Sequence, residues 1–282
     1  MKTVYKLVKE ISSLHPIPPV ANQILSLAND PDSAISDLVE LISFDPAITA
    51  NLLKVCNSAY LGMAMPVTSI QQAVALLGMK RIIELVLMNC LSPNLLKIQK
   101  GYQLEKGELW KNSVATALVS KSIAQTREID DVFFIYTAAL LKDIGKVVID
   151  SLVGKSCQKI RRLVMKKGYT FDEAEKKIIG IDHAALGGII ADLWKFDSRL
   201  TFIIKNHHMT QEGARLDQDT SIVYLADIVS MMVGSGIGVD GLAYKFYEEI
   251  FTEMSVTEFE LQNLLVEYHT HYKKADTLLT IQ

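Results

Sequence analysis

Ala139-Leu140-Leu141-Lys142-Asp143-Ile144-Gly145-Lys146 closes an apolar run that begins at Val132, and it sets the terms for the rest of the chain. The Asp-x-Gly-Lys at the end of that run is followed by His183, then by the doublet His207-His208, then by Asp227. Imidazoles and carboxylates dispersed over several helices are how a bundle assembles a metal centre in its core. Yet the residue before Asp143 is Lys142, and a protonated ammonium has no lone pair to give a metal. The order of the donors points to a phosphohydrolase. The lysine points away from one.

Helical periodicity runs outward from this stretch in both directions. Downstream the spacing predicts helices over 108–126, 131–146, 156–167, 171–178, 183–195, 198–208, 220–234, 240–254 and 256–276. Asp182 is placed to cap the helix at His183, and Ser255-x-x-Glu258 reads as a capping box for the last helix. Val147-Val148-Ile149 has strand character but stands alone. Upstream, His15-Pro16-Ile17-Pro18-Pro19 reads as a rigid extended entry. Asp45-Pro46 puts a capping acid before a proline at the first helical position, and Ile48, Leu52, Val55 and Ala59 then recur on one face. Thr68-x-x-Gln71 is a capping-box pattern for a helix over 70–77, which Gly78 ends before a second helix over 80–91.

All seven prolines fall at or before Pro93, while thirteen of the fifteen glycines follow residue 100. That shift places a boundary near residues 93–107. The reading is all-α: an N-terminal helical subdomain over 1–97, packed on a helical bundle over 98–282.

The remaining bulk properties bound the function. Of the 282 residues, 49% are apolar, and the mean hydropathy is +0.21. The run Val132–Leu141 is far shorter than the roughly 20 residues of a membrane-spanning helix. Met1-Lys2-Thr3-Val4-Tyr5-Lys6 opens no apolar signal-peptide segment. Cys56, Cys90 and Cys157 are odd in number and widely spaced, as reduced thiols in a cytoplasmic protein would be. A net charge of −3 disfavours nucleic acid, whose affinity for proteins comes largely from phosphate neutralisation. The densest basic cluster, Lys159, Arg161, Arg162, Lys166 and Lys167, reads as the solvated side of a helix whose inner side is Ile160, Leu163 and Val164.

The candidate residues each admit a plain structural reading. Phe133, Tyr136, Thr137, Leu140 and Leu141 face inward by spacing, which brings Asp143 near the core. Asp227 lies in Ile222-Val223-Tyr224-Leu225-Ala226-Asp227-Ile228-Val229, where a carboxylate must be paired, protonated or on a metal. It serves either as a ligand or only as an acceptor from His207 or His208. His183 sits just inside a helix N-terminus, where the dipole favours neutral imidazole; there it is a ligand or a structural hydrogen-bonder. His207 and His208 point about 100° apart on a helix, so both reach one site only if the helix frays into Met209–Gln218.

Taken together these elements resemble the HDOD family, relatives of the HD superfamily of metal-dependent phosphohydrolases found in bacterial signalling. The likeness spans residues 10 to 230. Its first part rests on Ile17-Pro18-Pro19-Val20, Asp45-Pro46, Leu52-Leu53-Lys54-Val55-Cys56-Asn57-Ser58-Ala59-Tyr60, Ile70-Gln71-Gln72-Ala73-Val74 and Leu77-Gly78. Its second part rests on Leu109-Trp110-Lys111-Asn112-Ser113, Leu141–Lys146, Gly180-Ile181-Asp182-His183, Trp194, His207-His208 and Ala226-Asp227.

The resemblance implies an HD-like bundle whose site is degenerate at Asn112, Lys142, Asp143, Lys146, His183, His207, His208 and Asp227. A catalytic HD-type enzyme would carry histidine in place of Asn112 and of Lys142. With two imidazoles missing, no two-metal centre and no cofactor are expected. If a single divalent metal binds, its ligands come from Asp143, His183, His207, His208 and Asp227. The expected function is a non-catalytic bacterial signal-transduction or regulatory module that binds a signalling protein partner or a small ligand. The alternative is a metal-dependent phosphohydrolase acting on a nucleotide or cyclic dinucleotide, with Lys146 near the phosphate.

Overall fold

The computed structural model of the chain describes residues 11, 23, 24, 27, 33–58, 61–63, 66–242 and 244–279. The expected extended entry at His15–Pro19, Val20 and the Ala59-Tyr60 end of one motif lie outside them. The described residues are all-α, with no strand and one isolated bridge between Gln99 and Leu104. None of their helices is long and apolar enough to cross a membrane.

The first part contains α1 (Ile35–Ser43), α2 (Pro46–Cys56), α3 (Ile70–Leu77) and α4 (Met79–Leu95). Asp45 accepts from the backbone N–H groups of Ala47 and Ile48, with Pro46 at the first helical position, as the sequence predicts. The cap of α3 lies one residue later than the pattern suggests. Ser69, not Thr68, accepts from the N–H of Gln72, and the Gln72 side chain accepts from Thr68. Two adjacent hydroxyls offer two registers, and the one chosen buries Ile70, Ala73 and Val74. Helix α4 runs four residues beyond expectation and contains Pro93, because Leu91 and Leu95 are fully packed. It lies against the second part, where the Trp110 indole N–H points at Met88 O and Lys121 pairs with Glu84.

The second part is built around α5 (Glu108–Thr126), buried on nearly every side, and α6 (Val132–Leu141), in which Phe133 to Leu141 are all buried. Next come α7 (Ile144–Lys167), α8 (Phe171–Ile179), α9 (His183–Leu193), α10 (Ser198–Asn206) and the single turn α11 (Glu212–Arg215). Helix α12 (Gln218–Val233) and the last helix pack on α5, and α8 and α9 pack on α7.

Four details of the sequence reading differ here. The helix expected over 131–146 stops at Leu141, and a new one starts at Ile144 and continues to Lys167. The strand-like Val147-Val148-Ile149 is helical within it, since packing on α8 and α9 outweighs a weak β preference. Periodicity could not place the break because α6 is apolar all round. The helix expected over 240–254 is a 3-10 turn (Val239–Leu242) followed, after an irregular link, by α13 (Glu248–Glu253). The last helix, α14 (Glu258–Leu279), is capped by Thr257, whose hydroxyl accepts from the N–H of Glu260; the expected Ser255 has a left-handed φ of 53°.

Candidate functional site

The two-residue break between α6 and α7 drives Lys142 and Asp143 into the centre of the second part. Gly145 lets α7 approach α9 there: a Cβ on it would lie 1.9 Å from His183 O. No other residue fits, and the contact brings His183 to Asp143.

Lys142 pairs with Asp143 and, at 2.7 Å, with Asp227 of α12. Lys146, one turn along α7, lies 2.9 Å from Asp143 and 2.7 Å from Asp240 in the 3-10 turn. These five residues are at most 4% exposed. Burial alone would lower both lysines, but the carboxylates of Asp143 with Asp227, and of Asp143 with Asp240, raise Lys142 and Lys146 above the usual lysine value. Burial would likewise raise Asp143; the two ammoniums instead hold it well below the ordinary carboxylate value. Asp227 is raised, by burial first, with Lys142 opposing. Lys142 and Lys146 thus hold Asp143 in its charged form.

The imidazoles meet on its other side. His207 follows the last residue of α10 and His208 lies beyond it, so the helix does fray as their convergence requires. The rings of His183 and His208 are 4.8 Å apart, and those of His207 and His208 are 4.0 Å apart. His183 Nδ1 is 2.7 Å from Glu175, whose other oxygen accepts from the Tyr102 hydroxyl. His207 Nδ1 is 2.8 Å from Ile204 O, which makes it the donor nitrogen and leaves Nε2 with its lone pair, 3.9 Å from Asp143. His183 Nε2 and His208 Nε2 are 2.8 Å apart and share a hydrogen bond. Burial pulls His207 down to about 3 and His208 well below the histidine value. Burial would do the same to His183, but Glu175 raises it. Of the three imidazoles, His183 is thus the one whose surroundings favour the protonated form.

The donor set answers the question of a metal in two parts. A two-metal clamp does not fit, because Asp143 and Asp227 face ammoniums where divalent cations would be needed. The nitrogens of His183, His207 and His208 lie within 4.8 Å of one another, a group that could hold one zinc-like ion. The ligating nitrogens of two imidazoles on one tetrahedral ion stand about 3.3 Å apart. At 2.8 Å the Nε2 atoms of His183 and His208 are closer than that, at a hydrogen-bond distance.

The expected residues Lys142, Asp143, Lys146, His183, His207, His208 and Asp227 thus converge. Asn112 does not join them: its amide donates to the Tyr268 hydroxyl at 3.0 Å, tying α5 to α14. Nor does Asp227 accept from His207 or His208, since Lys142 occupies it. Sequence reasoning missed Glu175, Asp240 and Tyr102. Glu175 was legible as an acid on the inward Phe171, Ala174, Ile178 face of α8, whereas Asp240 opens the stretch whose spacing predicts a helix and which folds as a 3-10 turn.

Comparison with known proteins agrees with this architecture. A family model described as the HDOD domain matches residues 14–210. The chain belongs to the HDOD family. An "Uncharacterized protein" of Treponema pallidum (strain Nichols) is 24% identical over 208 residues, 73% of this chain. The match spans 40% of that relative's length. Among solved structures, an HDOD domain protein with unknown function from Geobacter sulfurreducens is 22% identical with a TM-score of 0.68, over 99% of this chain and 94% of that one. A protein provisionally described as a signal transduction protein from Marinobacter aquaeolei VT8 is 16% identical with a TM-score of 0.73, over 99% and 64%. One provisionally described as a phosphohydrolase from Shewanella amazonensis SB2B is 22% identical with a TM-score of 0.69, over 97% and 98%. At these identities the structural neighbours share the HDOD fold with this chain; their activities are their own.

Proposed function

We propose that this HDOD protein is a non-catalytic regulatory module of bacterial signal transduction, acting by binding a signalling protein or a small ligand. The observation that carries the reading is the placement of Lys142 and Lys146. Metal-dependent phosphoryl hydrolysis needs divalent cations on the carboxylates to activate water and to neutralise phosphate. Here the carboxylates are neutralised by ammoniums, which cannot activate water and are already engaged by those carboxylates, in a cluster that solvent barely reaches. Family membership and the signalling description of the Marinobacter neighbour support the signalling part of this reading.

The second reading is a metal-dependent phosphohydrolase acting on a nucleotide or cyclic dinucleotide, and the convergent trio His183, His207 and His208 is what favours it. A hydrolysis assay with manganese and a cyclic dinucleotide separates the two. The non-catalytic reading expects no turnover from the native chain and no more than one metal ion per chain after purification without chelator. Turnover that Asp143→Ala abolishes would overturn it, as would two transition metals per chain. The double variant Asn112→His with Lys142→His reports whether the fold can still be returned to metal binding.

A further inference from the structure

The turn at residues 99–104, the C-terminal half of α7, the start of α8 and the 3-10 turn together line a cavity of about 270 Å³. Val164, Phe171 and Val239 form its apolar wall, and the exposed Met165 stands at its rim. Gln103, Cys157 and Arg161 supply the polar atoms, and no acidic residue lines it. Among the described residues Arg161 and its neighbour Arg162 have no ion pair, whereas Arg81, Arg127, Arg199 and Arg215 each hold a carboxylate; of the two, Arg161 lines the cavity. The larger cleft beside Arg127 and Arg215 therefore offers guanidiniums already engaged by Glu260 and Glu249. The smaller cavity offers a free one.

We propose that this cavity binds a small organic anion with an apolar body, its head group on Arg161 and its body against Phe171, Val164 and Val239. A guanidinium presents a planar fork of donors that matches a carboxylate. A mostly apolar concavity with a few polar groups is how small-molecule sites are built, and the volume, just under the usual range, sets a modest size. A medium-chain or aromatic carboxylate satisfies all three conditions.

The same walls touch the buried ion cluster. Gln103 adjoins Tyr102, whose hydroxyl donates to Glu175, and the ring of Phe171 lies 5.8 Å from that of Tyr102. Val239 adjoins Asp240, the partner of Lys146, and its N–H donates to Tyr102 O at 2.9 Å. Gly238 allows that approach, since a Cβ there would lie 2.1 Å from Tyr102 O. A ligand in the cavity thus rests on residues next to Tyr102 and Asp240, while the site itself stands whether or not the cluster does chemistry.

Cys157 serves as the reporter. It is partly exposed in the cavity wall, while Cys56 and Cys90 are buried and burial pushes their thiols up to about 11 and about 12. Iodoacetamide at mildly alkaline pH should therefore modify Cys157 first. Saturating octanoate is expected to slow that alkylation by about threefold or more, and to raise the melting temperature of the full chain. Arg161→Gln, an exposed change, should weaken both effects by about tenfold in octanoate concentration, the usual loss of a charge-assisted hydrogen bond. The proposal is overturned if octanoate and phenylacetate leave the alkylation rate unchanged, or if Arg161→Gln retains full protection. It is equally overturned if neutral octanol protects as well as octanoate, which would remove the anion. Inorganic phosphate protecting as well as octanoate would remove the apolar body.

Discussion

One hydrocarbon core runs through the whole molecule, and its two parts differ in what else they bury. In α1 to α4 the core is hydrocarbon apart from Glu84, Ser92 and Asn94 of α4: Leu38, Ile42, Leu52, Val55, Ile82 and Val86 are all nearly or fully buried, and the helices are started by local caps such as Asp45 and Ser69. In the second part α5, α6, α7, α9 and α12 close around two lysines, three aspartates and three histidines. Hydrocarbon burial is roughly proportional to area and tolerant of repacking. A buried ion cluster is not: each member is stable only while its partners are in place. The first part can thus drift in sequence while keeping its shape, whereas the second is held to one arrangement of charges.

The largest expected effect lies in that cluster. Lys142→Met should leave Asp143 and Asp227 without their shared counter-charge and destabilise the chain by about 3–5 kcal/mol in denaturant titration. Adding Asp227→Asn should restore part of the loss. An unchanged midpoint for Lys142→Met would end the contrast between the two parts. In the hydrocarbon core, Leu52→Ala is expected to cost about 2–4 kcal/mol, with no second substitution able to rescue it by charge.

Acidification should separate the parts next. His207 and His208 have folded values below their unfolded ones, so below about pH 6.5 the unfolded chain takes up protons that the native chain refuses. Stability from these two groups is therefore lost as pH falls from 6.5 toward the folded values. His183 is shifted the other way, so its contribution is complete below about pH 6.5 and is lost as pH rises through its higher folded value. Two groups against one predict a net loss of about 1–3 kcal/mol between pH 7.5 and 5.5, measured by denaturant titration in chelator-treated buffer. Opposite behaviour would mean that His207 and His208 are protonated in the fold. The smallest effect belongs to a cap: Asp45→Ala should cost about 1 kcal/mol, and a loss several times larger would show that the first part depends on more than local starts and apolar burial.

Much of the architecture was legible because helices announce themselves locally. The starts after Asp45 and Asp182 came from capping residues within one turn of each helix. The errors came where local signals were duplicated or missing. Thr68 and Ser69 offered equivalent caps, as did Ser255 and Thr257, and only the packing of the following residues chose between them. The break at Lys142-Asp143 left no periodic trace because both flanking segments are apolar.

By itself the sequence determined that this is an all-α HDOD chain and that Lys142 stands before Asp143. Those are properties of residue identity and short-range spacing. What Lys142 does there was decided only by the tertiary structure. Asp227 lies 85 positions away along the chain and Asp240 a further 13, and their arrival beside Lys142 and Lys146 depends on α12 and the 3-10 turn folding back across α5 and α7. An ammonium among carboxylates is neutralised by whichever ones the fold delivers, and no local pattern encodes that delivery.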